Sequence, residues 1–211
     1  MKHPKALQLA QEFLFVIEPV CEQIQIAGSL RREKPEVKDI EIVAIPRIKI
    51  QTTKDLFDQV TEEREVSFLE NHLFDLIHEN SGWDWGLDGE LKRNGPRYKR
   101  FRHELTDICL DLFITTKAGW GGALAIRTGP ADFSKALVTL ALRQRKHVAD
   151  GYLIHQHRKS RKGCAKGAAC HLIMPTPTEE DFFAALILPW VNPQGRTEKW
   201  VWEQAKTRVI G

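Results

Sequence analysis

Apolar positions along the first twenty residues recur at helical spacing, with Leu7, Ala10, Phe13, Leu14, Ile17 and Val20 on one face, and predict a helix over 4–20. Cys21 to Ile26 then predicts a short strand running into Gly28. A second strand follows at Asp39-Ile40-Glu41-Ile42-Val43-Ala44-Ile45, closed by Pro46. Residues 53–80 read as helix, broken around 61–65, and 81–94 as a turn-rich stretch. Strands are expected at 98–102 and 106–115, the latter with Ile108, Leu110, Leu112 and Ile114 at alternate positions. The stretch 119–129 reads as a glycine-containing hinge, and 131–146 as a helix. After it come a turn at Asp150-Gly151, a strand over 152–155 and a low-complexity loop over 163–169. Thr178, followed by Glu179, Glu180 and Asp181, caps a last helix that ends before Leu188-Pro189-Trp190. The pattern is that of an α/β (α+β) protein: a small mixed or antiparallel sheet with flanking helices over 1–118, then a small α/β unit over 119–211.

Composition narrows this little. Hydrophobic content of 42% and charged content of 28% suit an ordinary globular chain of 211 residues. No run approaches the roughly 18 apolar residues of a membrane span. The N-terminus leads into a helix rather than a signal peptide, so a cytoplasmic location is expected. Nothing in the pattern marks a dimerisation helix, and a monomer is expected. The net charge is +3, yet Lys92, Arg93, Arg97, Lys99, Arg100 and Arg102 crowd one segment, and Arg143, Arg145, Lys146, Arg158, Lys159, Arg161, Lys162 and Lys166 another. Such local stretches suit either a solvated face or phosphate contacts. Cys21 and Cys109 lie in apolar surroundings. Cys164 and Cys170 neighbour His155, His157 and His171, but the C-x2-C spacing of a structural zinc site is missing.

The chemistry concentrates in Gly28-Ser29-Leu30-Arg31-Arg32 and Asp39-Ile40-Glu41. A Gly-Ser turn exposes backbone N–H groups of the kind that hold phosphate oxygens, and Arg31 and Arg32 can add charge-assisted hydrogen bonds. Asp39 and Glu41, two apart on a strand, project from one face. Carboxylates inside so apolar a strand are costly unless compensated, and divalent cations with oxygen ligands are a natural compensation. Asp111 likewise interrupts the apolar run 108–114, with Asp107 at the same parity. Carboxylates on neighbouring strands can hold two metals about 3.5–4 Å apart for in-line phosphoryl transfer. A half-exposed sheet with idle acids is the alternative. Trp83 and Trp85 read either as a base-stacking pair or as closure of a small local core, the latter preferred.

The motif Gly28-Ser29-Leu30-Arg31-Arg32, seven residues, then Asp39-x-Glu41 resembles the signature of the family X DNA polymerases, the polymerase beta group. The resemblance continues through Asp111, Arg127-Thr128-Gly129, Phe133, Lys135, Gly151-Tyr152-Leu153, Thr178 to Phe183 and Leu188-Pro189-Trp190, with 50–95 unmatched. It implies a nucleotidyltransferase palm and a C-terminal nucleotide- and template-binding unit. The implied substrates are a DNA primer-template or gapped DNA and a dNTP. Two magnesium ions, with manganese as an alternative, would be held by Asp39, Glu41 and Asp111. Gly28, Ser29 and Arg32 would meet the triphosphate. Thr128 and Gly129 would lie beside its sugar and base, and Phe133, Ser134 and Lys135 on the helix facing the nascent pair. Arg102, His103, His157, Arg158 and Lys159 would touch DNA.

Departures from the pattern stand at Glu41 for an aspartate, Cys109 for an arginine, Ile126 and Arg127 for two aromatics, and Pro130-Ala131 at the start of the nucleotide-facing helix. With roughly 25 residues ahead of the signature, the family's lyase and helix-hairpin-helix domains are expected to be missing and no lyase activity is expected. Competing readings are transfer to a small molecule, a protein or an RNA end, template-independent addition, and a non-catalytic DNA-binding module.

Overall fold

The computed structural model describes residues 1–54, 56–57, 59–78, 82–88, 91–92, 94–155 and 170–207. Helix α1 (His3–Ile17) carries Pro4 in its first turn, where no helical N–H is lost, and buries Ala6, Leu9, Ala10, Phe13 and Ile17. A 3-10 turn at Glu18–Val20 hands the chain to β1 (Cys21–Ile26), the one-turn α2 (Gly28–Arg31) and β2 (Asp39–Pro46).

The next segment departs from the sequence expectation. The described residues between 53 and 67 are not helical: β3 (Ile48–Lys54) and β4 (Val60–Ser67) form an antiparallel hairpin, and only α3 (Phe68–His78) is helix. Glu62, Glu63 and Glu65 suggest helix, but alternating Ile48, Ile50 and Thr52 facing Glu63 and Glu65 favour an extended pair. The turn-rich stretch also holds structure. Trp83–Trp85 is an edge strand, β5, followed by the small β6 (Leu87–Asp88) and β7 (Leu91–Lys92) pair. Trp83 is buried edge-on to Phe13 and His103, and Trp85 stacks on Phe101, so both indoles close local core.

Strands β8 (Tyr98–His103) and β9 (Cys109–Ile114) complete a five-stranded mixed sheet of order β1-β2-β9-β8-β5. Only β2 and β9 run parallel. Its apolar face, with Ile40, Ile42, Phe101, Leu110 and Leu112, packs in one core with residues of α1 and α3.

The expected hinge at 119–129 is instead α4 (Trp120–Thr128), buried along most of its length. Its glycines serve close packing rather than flexibility: a Cβ on Gly121 would strike the Thr178 carbonyl, and one on Gly122 the Gly151 carbonyl. Helix α5 (Ala131–Arg143) is followed by β10 (Lys146–Ala149), where sequence reading extended the helix. Asp150 and Gly151, with φ of 52° and 85°, make the two-residue turn into β11 (Tyr152–His155), the left-handed pair that a tight hairpin needs. β12 (Ile173–Met174) adds the third strand of this smaller sheet. Helix α6 (Glu179–Ala185) opens on the expected cap, where Thr178 and Asp181 form a reciprocal capping box. A final helix, α7 (Glu198–Thr207), was not anticipated; it packs in a second core with Phe133, Leu137, Phe182 and Phe183. No helix among the described residues is long and apolar enough to cross a membrane.

Candidate active site

The parallel register of β2 and β9 aligns the acids. Asp39 pairs with Cys109 and Glu41 with Asp111, so the carboxylate positions of both strands lie on the face opposite Ile40, Ile42, Leu110 and Leu112. Burial raises the Asp39 carboxyl, and Asp111 adds to it. Burial likewise pushes Glu41 up to about 7, with Asp39 and Asp111 raising it and Arg127 and Arg32 opposing them. Like charges crowd here, and Arg32, Arg100 and Arg127 offset them only in part.

Gly28 explains how the preceding turn comes so close. Its φ is +65°, and a Cβ there would collide with the Glu41 carboxylate. Ser29, Arg32, Asp39, Glu41, Arg127, Gly129 and Ser134 line a cavity of about 690 Å³. Ser29 Oγ and Arg32 Nε are buried without a hydrogen-bond partner, and burial lowers the pKa of Arg32. These are donors held ready for an anionic, oxygen-rich ligand. A second cavity of about 580 Å³ shares Glu41, Ile126 and Arg127 with the first and adds Arg100, Asp111 and Phe113. Arg127 lies over the Phe113 ring at 3.8 Å, on the boundary of the two spaces.

Asp111 is not free. Its Oδ1 accepts from Tyr98 Oη (2.8 Å) and Arg100 Nε (2.7 Å), and Oδ2 from Arg100 Nη2 (2.9 Å). Among the described residues no three His, Cys, Asp or Glu side chains stand together as a ready-made metal cluster. The donor set nonetheless fits hard divalent cations: carboxylate oxygens, partly buried and mutually repelling, beside unpartnered donors for a phosphate.

Other expected site residues are distributed differently. Arg31, read from sequence as a phosphate contact, turns away. It donates to both oxygens of Glu179 (2.9 and 2.7 Å) and to Thr128 Oγ1 (2.9 Å), while Arg32 Nη1 donates to the Thr128 carbonyl. Thr128 is therefore a fully buried link between the two halves, its side chain turned from the cavity. Phe133 is core, not a nucleotide-facing ring. Ser134 donates to the Ile126 carbonyl at the cavity edge, and Lys135 is exposed. Arg102 is exposed and paired with Asp107. His103 is 9% exposed, beside Trp83 and in contact with Thr106, and presents little surface to DNA. His157, Arg158, Lys159 and Cys164 lie outside the described residues. Cys170 is buried with Tyr152 and Ile154. Sequence reading missed Arg100 and Tyr98 as partners of Asp111 because nothing local marks a cross-strand partner.

No protein-family model matches the chain. It is similar to DNA polymerase lambda of Rattus norvegicus, 26% identical over 172 residues. That match takes in 80% of this chain but spans only 28% of the relative.

Proposed function

We propose that the chain is a nucleotidyltransferase of the family X DNA polymerase type, adding a nucleotide from a dNTP to a primer 3′-hydroxyl during short-gap filling or repair. The observation that carries this reading is the alignment of Asp39, Glu41 and Asp111 on adjacent parallel strands beside a cavity with unpartnered Ser29 and Arg32 donors. The similarity to DNA polymerase lambda supports it.

In this reading residues 1–118 form the palm, and 119–211 hold nucleotide and template. Asp39, Glu41 and Asp111 would hold two magnesium ions, or manganese through the same oxygen donors. When bound, these supply activation of the hydroxyl and neutralisation of the triphosphate. Gly28 lets the turn backbone approach the phosphates, and Ser29 and Arg32 donate to them. Gly129 and Ser134 border the sugar and base, with Lys135 and the template further out on α5. Arg127 occupies the wall where the two cavities meet and orients whatever crosses it. Arg102 and the basic segment 157–159 contribute backbone contacts to DNA.

The test is primer extension on a gapped duplex with each single dNTP, with and without magnesium, beside Asp111→Asn. Metal-dependent addition of the complementary nucleotide, lost by at least about a hundredfold in the variant, is expected. Addition indifferent to the template base would reassign the chain to end-tailing. Failure with DNA under either metal, with transfer to RNA, protein or a small molecule, would replace the polymerase reading.

A further inference from the structure

Resting on that reading, one side chain within it has two incompatible tasks. Arg100 faces Asp111 directly across the β8–β9 ladder. Its guanidinium engages both carboxylate oxygens in a fork, and Tyr98 fills a further lone pair on Oδ1. A carboxylate has about four acceptor sites, so three are spent and little remains for a cation. Among the described residues, Asp111 is the member of the acidic trio held in an ion pair.

The two partners are unequally enclosed. Asp111 is 9% exposed, whereas the Arg100 side chain is 31% exposed and lines the 580 Å³ cavity with Arg97 and Arg127. Its stem is fixed: Gly86 donates to the Arg100 carbonyl (2.7 Å), and a Cβ on Gly86 would meet the Arg100 side chain. The head can therefore rotate about an anchored stem into a space lined by Arg127 and by Arg97, which already occupies Asp150 in an ion pair. A guanidinium released there needs an anion, and a phosphodiester matches its fork as well as a carboxylate does.

We propose that Arg100 is a two-position residue that holds Asp111 closed until a divalent cation displaces it, and then takes a backbone phosphate of the polynucleotide acceptor. Cation binding and acceptor binding are thereby coupled through one side chain. Reciprocity requires that each strengthen the other. Arg100 is thus a positioning residue, and its release stands between an idle carboxylate and a complete site.

The experiment uses the full chain without dNTP. Manganese binding is followed by the electron-paramagnetic signal of the free ion, and binding of a labelled gapped duplex by fluorescence anisotropy with and without manganese. Wild type, Arg100→Leu, Arg100→Lys and Asp111→Asn are compared. Manganese is expected to strengthen duplex binding by about tenfold in wild type, and this gain is expected to be largely lost in Arg100→Leu and partly kept in Arg100→Lys. Manganese itself should bind more tightly to Arg100→Leu. Simple charge removal would also tighten manganese, so the coupling is decisive: an undiminished gain in Arg100→Leu overturns the two-position role while leaving the polymerase reading intact. Indistinguishable manganese binding by wild type and Asp111→Asn would overturn both. Arg100→Lys, which keeps the charge and most of the packing, covers the case in which the leucine variant fails to fold.

Discussion

Glu41 sits where the Gly28 turn, β2 and β9 converge, and its proton reports the state of the whole cluster. Burial is the main reason its carboxyl rises to about 7, and the neighbouring Asp39 and Asp111 add to it. The sign follows from proton counting. An unfolded glutamate titrates near 4.5 and the folded one near 7, so between those values the native state binds more protons. Stability of the metal-free protein therefore falls as pH rises through that window. The full shift corresponds to roughly 3 kcal/mol, reduced by the screening that partial exposure allows. Glu41→Gln should raise the metal-free thermal midpoint at pH 8 and flatten its slope between pH 5.5 and 8. Below about pH 4.5, where wild type is protonated in both states, the two proteins should converge. Melting curves across that range check it; equal slopes would mean that the acids are better compensated than their burial implies.

Elements were legible where a local pattern has one physical meaning. Asp39 and Glu41 at alternate positions of the apolar run 39–45, and Asp111 alone among alternating Ile108, Leu110 and Leu112, predict acids on one face and aliphatics on the other, and β2 and β9 present them so. The Thr178 cap was equally plain because its partner, Asp181, is three residues away. The failures share a cause. Glu62 to Glu65 have helical propensity, but cross-strand pairing with 50–53 decides the hairpin. Gly121 and Gly122 imply a hinge by propensity, yet α4 forms because they let other backbone segments pack against it. Gly121→Ala sets these forces against each other. Alanine favours the helix by about 1 kcal/mol, whereas the new Cβ must displace the Thr178 carbonyl that begins α6. Overpacking against backbone costs about 1–3 kcal/mol, so a net loss is expected in urea denaturation, with a lowered midpoint. A stabilised variant would show that α6 can slide at no cost.

At the scale of the molecule, the two sheets are held in register by charge as well as by apolar packing. Glu179, 5% exposed on α6, accepts both arms of Arg31 from the turn beside Gly28. It also pairs at 2.8 Å with Arg196, which is 1% exposed, near the rings of Phe133 and Phe183, and donates to the Val191 carbonyl (3.2 Å). The Arg196 contact is ionic rather than a well-aligned hydrogen bond, since neither terminal nitrogen has an aligned acceptor. No local signal could reveal this clasp, because Arg31 and Glu179 are 148 residues apart. Burial alone would raise the Glu179 carboxyl, but the hydrogen bonds from Arg31 and the adjacent Arg196 charge outweigh it and hold it below the ordinary range. Glu179→Gln keeps the shape and removes the charge, stranding two arginines, one of them almost wholly enclosed. Breaking a buried pair from one side costs about 3–5 kcal/mol, and chemical denaturation at pH 7 should show a loss of that order. A depressed carboxyl contributes stability that is complete above the unfolded value of 4.5 and is lost as pH falls through the folded one. The gap between wild type and Glu179→Gln should therefore be constant from pH 8 to about 5.5 and narrow below 4.5. In the proposed reading Arg32, beside Arg31, meets the triphosphate, so the variant should also weaken that binding, measured as raised KM for dNTP with less change in kcat. A variant equal to wild type in both stability and KM would mean that apolar packing alone aligns the halves and that the clasp is incidental.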